Sequence, residues 1–398
     1  MNPVQETYAR FTSLRQKALA VGVVALLVSA AGFALAGRTQ FFQSYFFAYM
    51  VWVCLTLGLF GLTLLHHTVR GAWGLPVLRF LEAGAGALPL MAVLFLPVVV
   101  GIADLYPWAN PEVVQADKYI KHKTGYLNVP FFLVRAAIYF AVWILLMRVL
   151  RQLSLKQDET EDESLAQKRM NIAAPGLVAF VLTVTFAMID WVMSLEPRWY
   201  SSIYGAWFIV GQGLSAFAFA TTVLLLAARH KPFADVVNPK LTRDLGNLTF
   251  AFVILWAYMS VSQYLIIWSA NLPDEVTYYI KRNQGGWQYL SGALILLQFF
   301  LPFLILLSSR VKRYANLLLR TMVFILVMRV VDLYWIIVPA FGRQTPAVHW
   351  LDITLLIGLG GLWLAWFAGQ VCAAPLLPRH DTRLQEAWLY ERSASTAV

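Results

Sequence analysis

Four charged residues fall inside long apolar stretches of the sequence: Arg135, Asp190, Arg329 and Asp332. A charged group at the centre of a bilayer costs at least about 2.5–3.5 kcal/mol on insertion scales, so each is a candidate for function. Arg329 and Asp332 are spaced i, i+3 and share a helix face, where they can pair. At about 1.5 Å per residue, all four lie roughly 8–15 Å below one boundary of their apolar stretches. Gln212 and Gln263 reach a similar depth, and Gln298 sits nearer the middle. Formal charge in this layer cancels, two Arg against two Asp. Lipid-facing placement would leave each charge unpaired in hydrocarbon, so the helices that carry them are expected to turn them toward one another. Such a layer serves either as a static ion-pair network that fixes helix register, or as a proton relay or a polar site for a quinone headgroup.

A second group lies at the opposite boundary. His66 and His67 end one apolar stretch, Glu82 opens the next, and Asp244 opens a later one. The unperturbed pKa of His lies near neutral pH, which suits proton uptake. Thr183, Thr185, Ser215, Thr221 and Thr222 fall between the two groups and could support waters there. The plainer reading is that His66, His67 and Glu82 sit in the headgroup region, where charge is cheap.

The elements that must position these residues are apolar runs of about 20 residues, each long enough to span a hydrocarbon core of roughly 30 Å. Ten can be read, near 17–37, 43–66, 83–103, 129–150, 174–195, 203–228, 245–270, 287–309, 316–339 and 350–372. The composition agrees: 60% hydrophobic, 13% charged, with a mean hydropathy of +0.64, against about a quarter charged in soluble domains. The first run has Arg15 and Lys17 before it and Ala34-Leu35-Ala36 after it, a pattern like a signal-peptide cleavage site, and is counted as a retained span. The expected fold is an all-α membrane protein of about ten transmembrane helices. Its organisation is an N-terminal segment (1–16), four spans (17–151), a charged linker (152–173), six spans (174–372) and a C-terminal tail (373–398).

Orientation follows from Lys and Arg placement. With the N-terminus inside, 21 of the 31 basic residues fall on the inner side, 8 on the outer side, and Arg135 and Arg329 within spans. That bias has the sign expected for both termini in the cytoplasm. It also accounts for the net charge of +10 through topology and anionic lipid headgroups rather than nucleic acid. The 152–173 stretch holds Asp158, Glu159, Glu161, Asp162 and Glu163 and reads as a solvated linker. The outer loop 104–128, with Trp108, Pro107, Pro111 and three lysines, reads as an interfacial cover.

Several chemistries are disfavoured. Cys54 and Cys372 lie in apolar segments without a CxxC partner, which argues against a zinc or iron–sulfur site held by this chain alone. His66 and His67 are adjacent and about 100° apart on one helix, so they cannot clamp a haem iron from opposite sides. No Gly-rich phosphate loop follows a strand. Gly211, Gly213, Gly358, Gly360 and Gly361 lie within spans, where close helix packing is their expected role.

The stretch Phe186-Ala187-Met188-Ile189-Asp190-Trp191-Val192-Met193-Ser194-Leu195-Glu196-Pro197-Arg198-Trp199-Tyr200-Ser201-Ser202-Ile203-Tyr204-Gly205, preceded by Ala174-Pro175-Gly176, carries a family resemblance. It resembles the second NrfD-like (polysulfide-reductase membrane subunit type) protein of bacterial alternative complex III. Gln263-Tyr264-Leu265-Ile266-Ile267-Trp268-Ser269-Ala270-Asn271-Leu272-Pro273, then Glu275 and Tyr279, is similar to the same family's seventh helix exit, and Arg329-Val330-Val331-Asp332 continues the match. The resemblance covers roughly residues 40–372. It implies two four-helix bundles with two additional helices, in the bacterial inner membrane, within a complex that oxidises quinol and passes electrons to cytochrome c or another acceptor. It further implies haem c and iron–sulfur clusters in partner subunits: a second NrfD-like protein, an iron–sulfur protein and multihaem cytochromes c. This chain would support assembly and offer a proton path through Asp190, Arg329, Asp332, Arg135, His66, His67 and Glu82. Gln212 and Gln263 would line a quinone or polar cavity. Two other classes stay open: a secondary transporter, for which Pro89, Pro97 and Pro302 are the only helix-breaking features, and a purely structural scaffold of the same complex.

Overall fold

The computed structural model describes residues 3–380. Its regular structure is helical, with no strand among the described residues. A chain in hydrocarbon must satisfy its backbone groups internally, and helices do so within each segment. Ten helices among the described residues are long and apolar enough to cross a bilayer, and the chain is a multi-pass membrane protein. They are α1 (Pro3–Leu35), α2 (Arg38–Val69), α3 (Leu78–Val100), α4 (Val129–Thr160), α5 (Ser164–Leu195), α6 (Tyr204–Ala227), α7 (Pro239–Ala270), α8 (Trp287–Leu307), α9 (Ala315–Phe341) and α10 (Trp350–Cys372). α1 begins and α10 ends on one face, where the Tyr8 hydroxyl donates to the Ala374 carbonyl (3.0 Å). This is the N face; the opposite one is the far face.

Helices α2–α5 form one four-helix bundle and α6–α9 a second, with α2 packed on α6 and α5 on α6 between them. α1 and α10 pair along their length and lie against α2 and α3. α2 is apolar all round and is buried through most of its span, as such a helix must be inside a larger assembly of helices. The α1–α10 pair is close because glycines face each other: a Cβ on Gly22 or Gly361 would strike the other's backbone. Small residues of this kind let membrane helices approach.

The charged stretch 152–173, expected as a linker, is helical apart from the Glu161–Glu163 turn, where Glu161 takes φ 56 to end α4. Glu, Lys, Gln and Ala are good helix formers, so the helices continue after the apolar pattern stops. The same effect starts α1 at Pro3 rather than near residue 17. Prolines locate the irregular helices. α3 consists of Leu78–Ala85, Leu88–Leu94 and Leu96–Val100, and Pro89 and Pro97 lie at the starts of the second and third pieces. In α8, Pro302 cannot donate to the Gln298 carbonyl, and the preceding turns, Leu294–Phe300, widen into a π-helix. On the far face the segment after α3 forms short helical turns held by Tyr106, whose hydroxyl donates to the Trp191 carbonyl (2.9 Å), and by an Arg198–Asp117 ion pair (2.8 Å).

Candidate functional site: buried charge clusters

The intramembrane charges resolve into two separate pairs, one per bundle. In the first, Asp190 on α5 is fully buried and bound from α4. Arg135 donates through Nε to Oδ2 (2.7 Å) and through Nη2 to Oδ1 (2.9 Å), and the Tyr139 hydroxyl donates to Oδ2 (2.7 Å). The remaining Arg135 nitrogen reaches the Tyr126 carbonyl (3.0 Å), and the guanidinium lies 3.9 Å over the Tyr126 ring. This fork-to-fork geometry uses both carboxylate oxygens and gives a strong, oriented pair.

The second pair is on α9. Arg329 Nη1 binds Asp332 Oδ2, which also accepts from Trp256 Nε1 of α7 (3.0 Å). Arg329 Nε donates to Ser215 Oγ of α6 (3.3 Å), and its guanidinium lies against Gly211, where a Cβ would collide with it. Asp332 is 1% exposed, yet its Oδ1 has no hydrogen-bond partner. A buried acceptor left unpaired is costly, more so when charged.

The N-face group is tighter than the sequence suggested. His66 and His67 at the end of α2 and Glu82 in α3 are buried, not spread through a headgroup layer. Arg79, one turn before Glu82, donates to Glu82 Oε2 (2.5 Å) and Ser154 Oγ (3.0 Å), and pairs with Asp158. Asp158 also accepts from the Arg379 backbone N–H (2.9 Å). One guanidinium therefore serves two carboxylates. Glu82 Oε1 has no hydrogen-bond partner and lies 3.9 Å from His67 Nε2.

Between the groups, α6 carries the polar column. Gln212 is one turn from Ser215; its Nε2 reaches the sulfurs of Cys54 (3.7 Å) and Met188 (3.8 Å), and its Oε1 is unpartnered. Thr221 Oγ1, six residues beyond Ser215 and so about 9 Å further toward the N face, is buried without a partner. Thr183 is occupied, accepting from Trp143 Nε1 (2.8 Å). Gln263 binds Ser201, away from the other charges.

The expected residues thus assemble as Arg135 with Asp190, Arg329 with Asp332, and His66, His67 with Glu82, but the two far-half pairs do not merge into one network. Tyr139, Trp256, Arg79 and Asp158 complete these clusters and were not anticipated. Only Arg79 carried a signal, its i, i+3 spacing from Glu82. A fourth cluster lies at the far face. Glu196 accepts from Lys281 Nζ (2.7 Å) and from Arg282 (3.3 Å), and the buried Arg282 also donates to the carbonyls of Trp335, Ile336 and Tyr278. Burial pushes the Glu196 carboxyl up, but the charges of Arg282 and Lys281 outweigh it and hold it below the usual carboxylate range. No protein-family model matches the sequence, and no curated protein matches it significantly.

Proposed function

We propose that this chain is a membrane subunit of a quinol-oxidising electron-transfer complex of the alternative complex III type, supporting its assembly and carrying a proton path. The resemblance over residues 186–205 supplies the class of complex. The observation that favours a proton path over a static lattice is a pair of buried carboxylates, Glu82 near the N face and Asp332 in the far half, each with one oxygen that has no hydrogen-bond partner. Fully bound carboxylates such as Asp190 have no vacant oxygen for a proton. These two do, and the unpartnered oxygens of Thr221 and Gln212 lie on the helix between them. Water at such buried polar atoms is the ordinary means of satisfying them. In this reading His67 and Glu82 take up protons from the cytoplasm, Asp332 receives them, and the Arg135–Asp190 pair holds the far half in register. In this reading the N face is cytoplasmic, which the basic-residue bias supports, and the membrane is the bacterial inner membrane that the resemblance implies.

The described residues bring no three His, Cys, Asp or Glu side chains together as a metal-binding group. In this reading no electron is routed through the chain's own side chains. Redox centres belong to an iron–sulfur protein and multihaem cytochromes c, beside a second NrfD-like subunit. Purification of the tagged chain from its native membrane tests this. The expected result is co-purifying c-type haem absorbance with quinol-dependent reduction of an acceptor. A chain that purifies alone, without haem or quinol oxidation, overturns it.

A further inference from the structure

At the N-face end of the second bundle a short turn, Ser309–Arg313, joins α8 to α9 and packs against the start of α7. Arg310, Lys312 and Arg313 lie in the turn, and Arg243 lies near the start of α7. Among the described residues none of these four makes an ion pair or a side-chain hydrogen bond. The three arginines are exposed, but Lys312 is only 7% exposed. Its stem lies on Gly246, where a Cβ would strike it, and its ammonium sits over the Phe250 ring, 5.3 Å from the centroid. Arg243, Gly246 and Phe250 are spaced i, i+3 and i+7, so one face of α7 presents all three.

A lysine that merely snorkels keeps its head in water. Lys312 instead holds its charge in a fold of protein without a counter-ion. Burial first, and then the Arg243 charge, push its ammonium below the ordinary lysine value. A desolvated charge of this kind is costly until an anion meets it. Its nitrogen has no hydrogen-bond partner and yet is not sealed off, so an anion can touch it.

The same seam offers a place for acyl chains. Phe250 of α7 meets Phe303 of α8 with ring centroids 5.4 Å apart, and Phe303 meets Phe299 at 5.4 Å. All three rings are half-buried, and they lead from Lys312 along α8 toward the bilayer interior. Leu304 and Leu307 beside them are strongly exposed on the outer surface of the bundle. Uncompensated positive charge at the interface and an open apolar seam below it match the two halves of an anionic phospholipid. A soluble phosphate uses only the first half.

We propose that this seam between α7 and α8 is a binding site for one anionic phospholipid, its phosphate against Lys312 and Arg243 and its acyl chains along Phe250, Phe303 and Phe299. The basic bias of the N face attracts such lipids diffusely, whereas this site holds one at a fixed place. It depends neither on the proton path nor on an electron-transfer complex.

The test uses the full chain in neutral detergent, with retained molecules counted by native mass spectrometry. Phosphatidylglycerol, phosphatidylcholine or glycerol 3-phosphate is added. The natural chain should retain one phosphatidylglycerol in preference to phosphatidylcholine. Lys312→Met keeps a stem on Gly246 and Phe250 but removes the charge. It should hold phosphatidylglycerol about tenfold more weakly, the scale of a lost hydrogen bond to a charged group. Arg148, exposed at the N-face end of α4 without an ion pair, is the control, and Arg148→Gln should leave retention unchanged. Should Lys312→Met fail to fold, Arg243→Gln at the exposed rim takes its place, with a several-fold loss expected. No preference for phosphatidylglycerol, undiminished retention by the folded variant, or an equal loss in Arg148→Gln overturns the proposal. So does glycerol 3-phosphate held as tightly as phosphatidylglycerol, which would assign a soluble phosphate instead.

Discussion

Asp190 and Asp332 look alike in the sequence, each an aspartate in an apolar segment, yet their oxygens differ in use. Asp190 accepts three hydrogen bonds over both oxygens, whereas Asp332 leaves Oδ1 unbound. Residue type and depth were legible in the sequence because hydrocarbon makes charge conspicuous. Which oxygen stays vacant was not, because it depends on Tyr139 and Trp256, whose polar tips are hidden in ordinary aromatic composition. The distinction gives separate expectations. Asp190→Asn leaves a buried guanidinium with half its partner, and removing one member of a buried pair costs about 3–5 kcal/mol. Thermal unfolding of the detergent-solubilised variant should show that loss, with the proton-to-electron ratio of the assembled complex kept. Glu82→Gln removes a proton acceptor while Asp158 still binds Arg79. It should fold and assemble but slow proton uptake several-fold in stopped-flow pH traces; unaltered uptake would exclude Glu82 from the route.

At the scale of elements, the ten spans were readable because hydropathy alone marks them, and the two bundles with an α1–α10 pair agree with what the resemblance implied. Helix ends beyond the hydrocarbon were not readable. Asp158 appeared to belong to a solvated acidic run, but α4 continues to Thr160 and carries it to Arg79. Glycine roles were better marked. Gly361 meets Gly22 backbone to backbone, so Gly361→Val should push α1 from α10 at an overpacking cost of about 1–3 kcal/mol. Gly125, with open space where a Cβ would go, is the control: Gly125→Ala should stay within about 0.5 kcal/mol in the same thermal melt. Equal melting of the two variants would refute the close contact.

For the whole molecule, the far face is tied together by charge outside the spans. Glu196 anchors Arg282 and Lys281, and through Arg282 the backbone at the end of α9. Because its carboxyl is held below the ordinary value, the pair contributes stability that is fully present above about pH 4.3, the unperturbed Glu value. That stability is lost as pH falls through the lower folded pKa. Glu196→Gln should therefore cost about 3 kcal/mol at neutral pH, a gap between the variant and natural melting curves that closes on acidification below pH 4. A gap that widened instead would reverse the assigned sign. Neither Glu196 nor Arg282 was legible as a partner, since they are 86 residues apart and join only when the second bundle closes on the first.

The most direct measurement of the proposed role is the proton-to-electron ratio of the purified complex in proteoliposomes, driven by quinol with a soluble acceptor. An assembled Asp332→Asn complex should keep electron transfer within about twofold and translocate fewer protons per electron than the natural complex. An unchanged ratio in that intact variant would contradict a proton path through this chain.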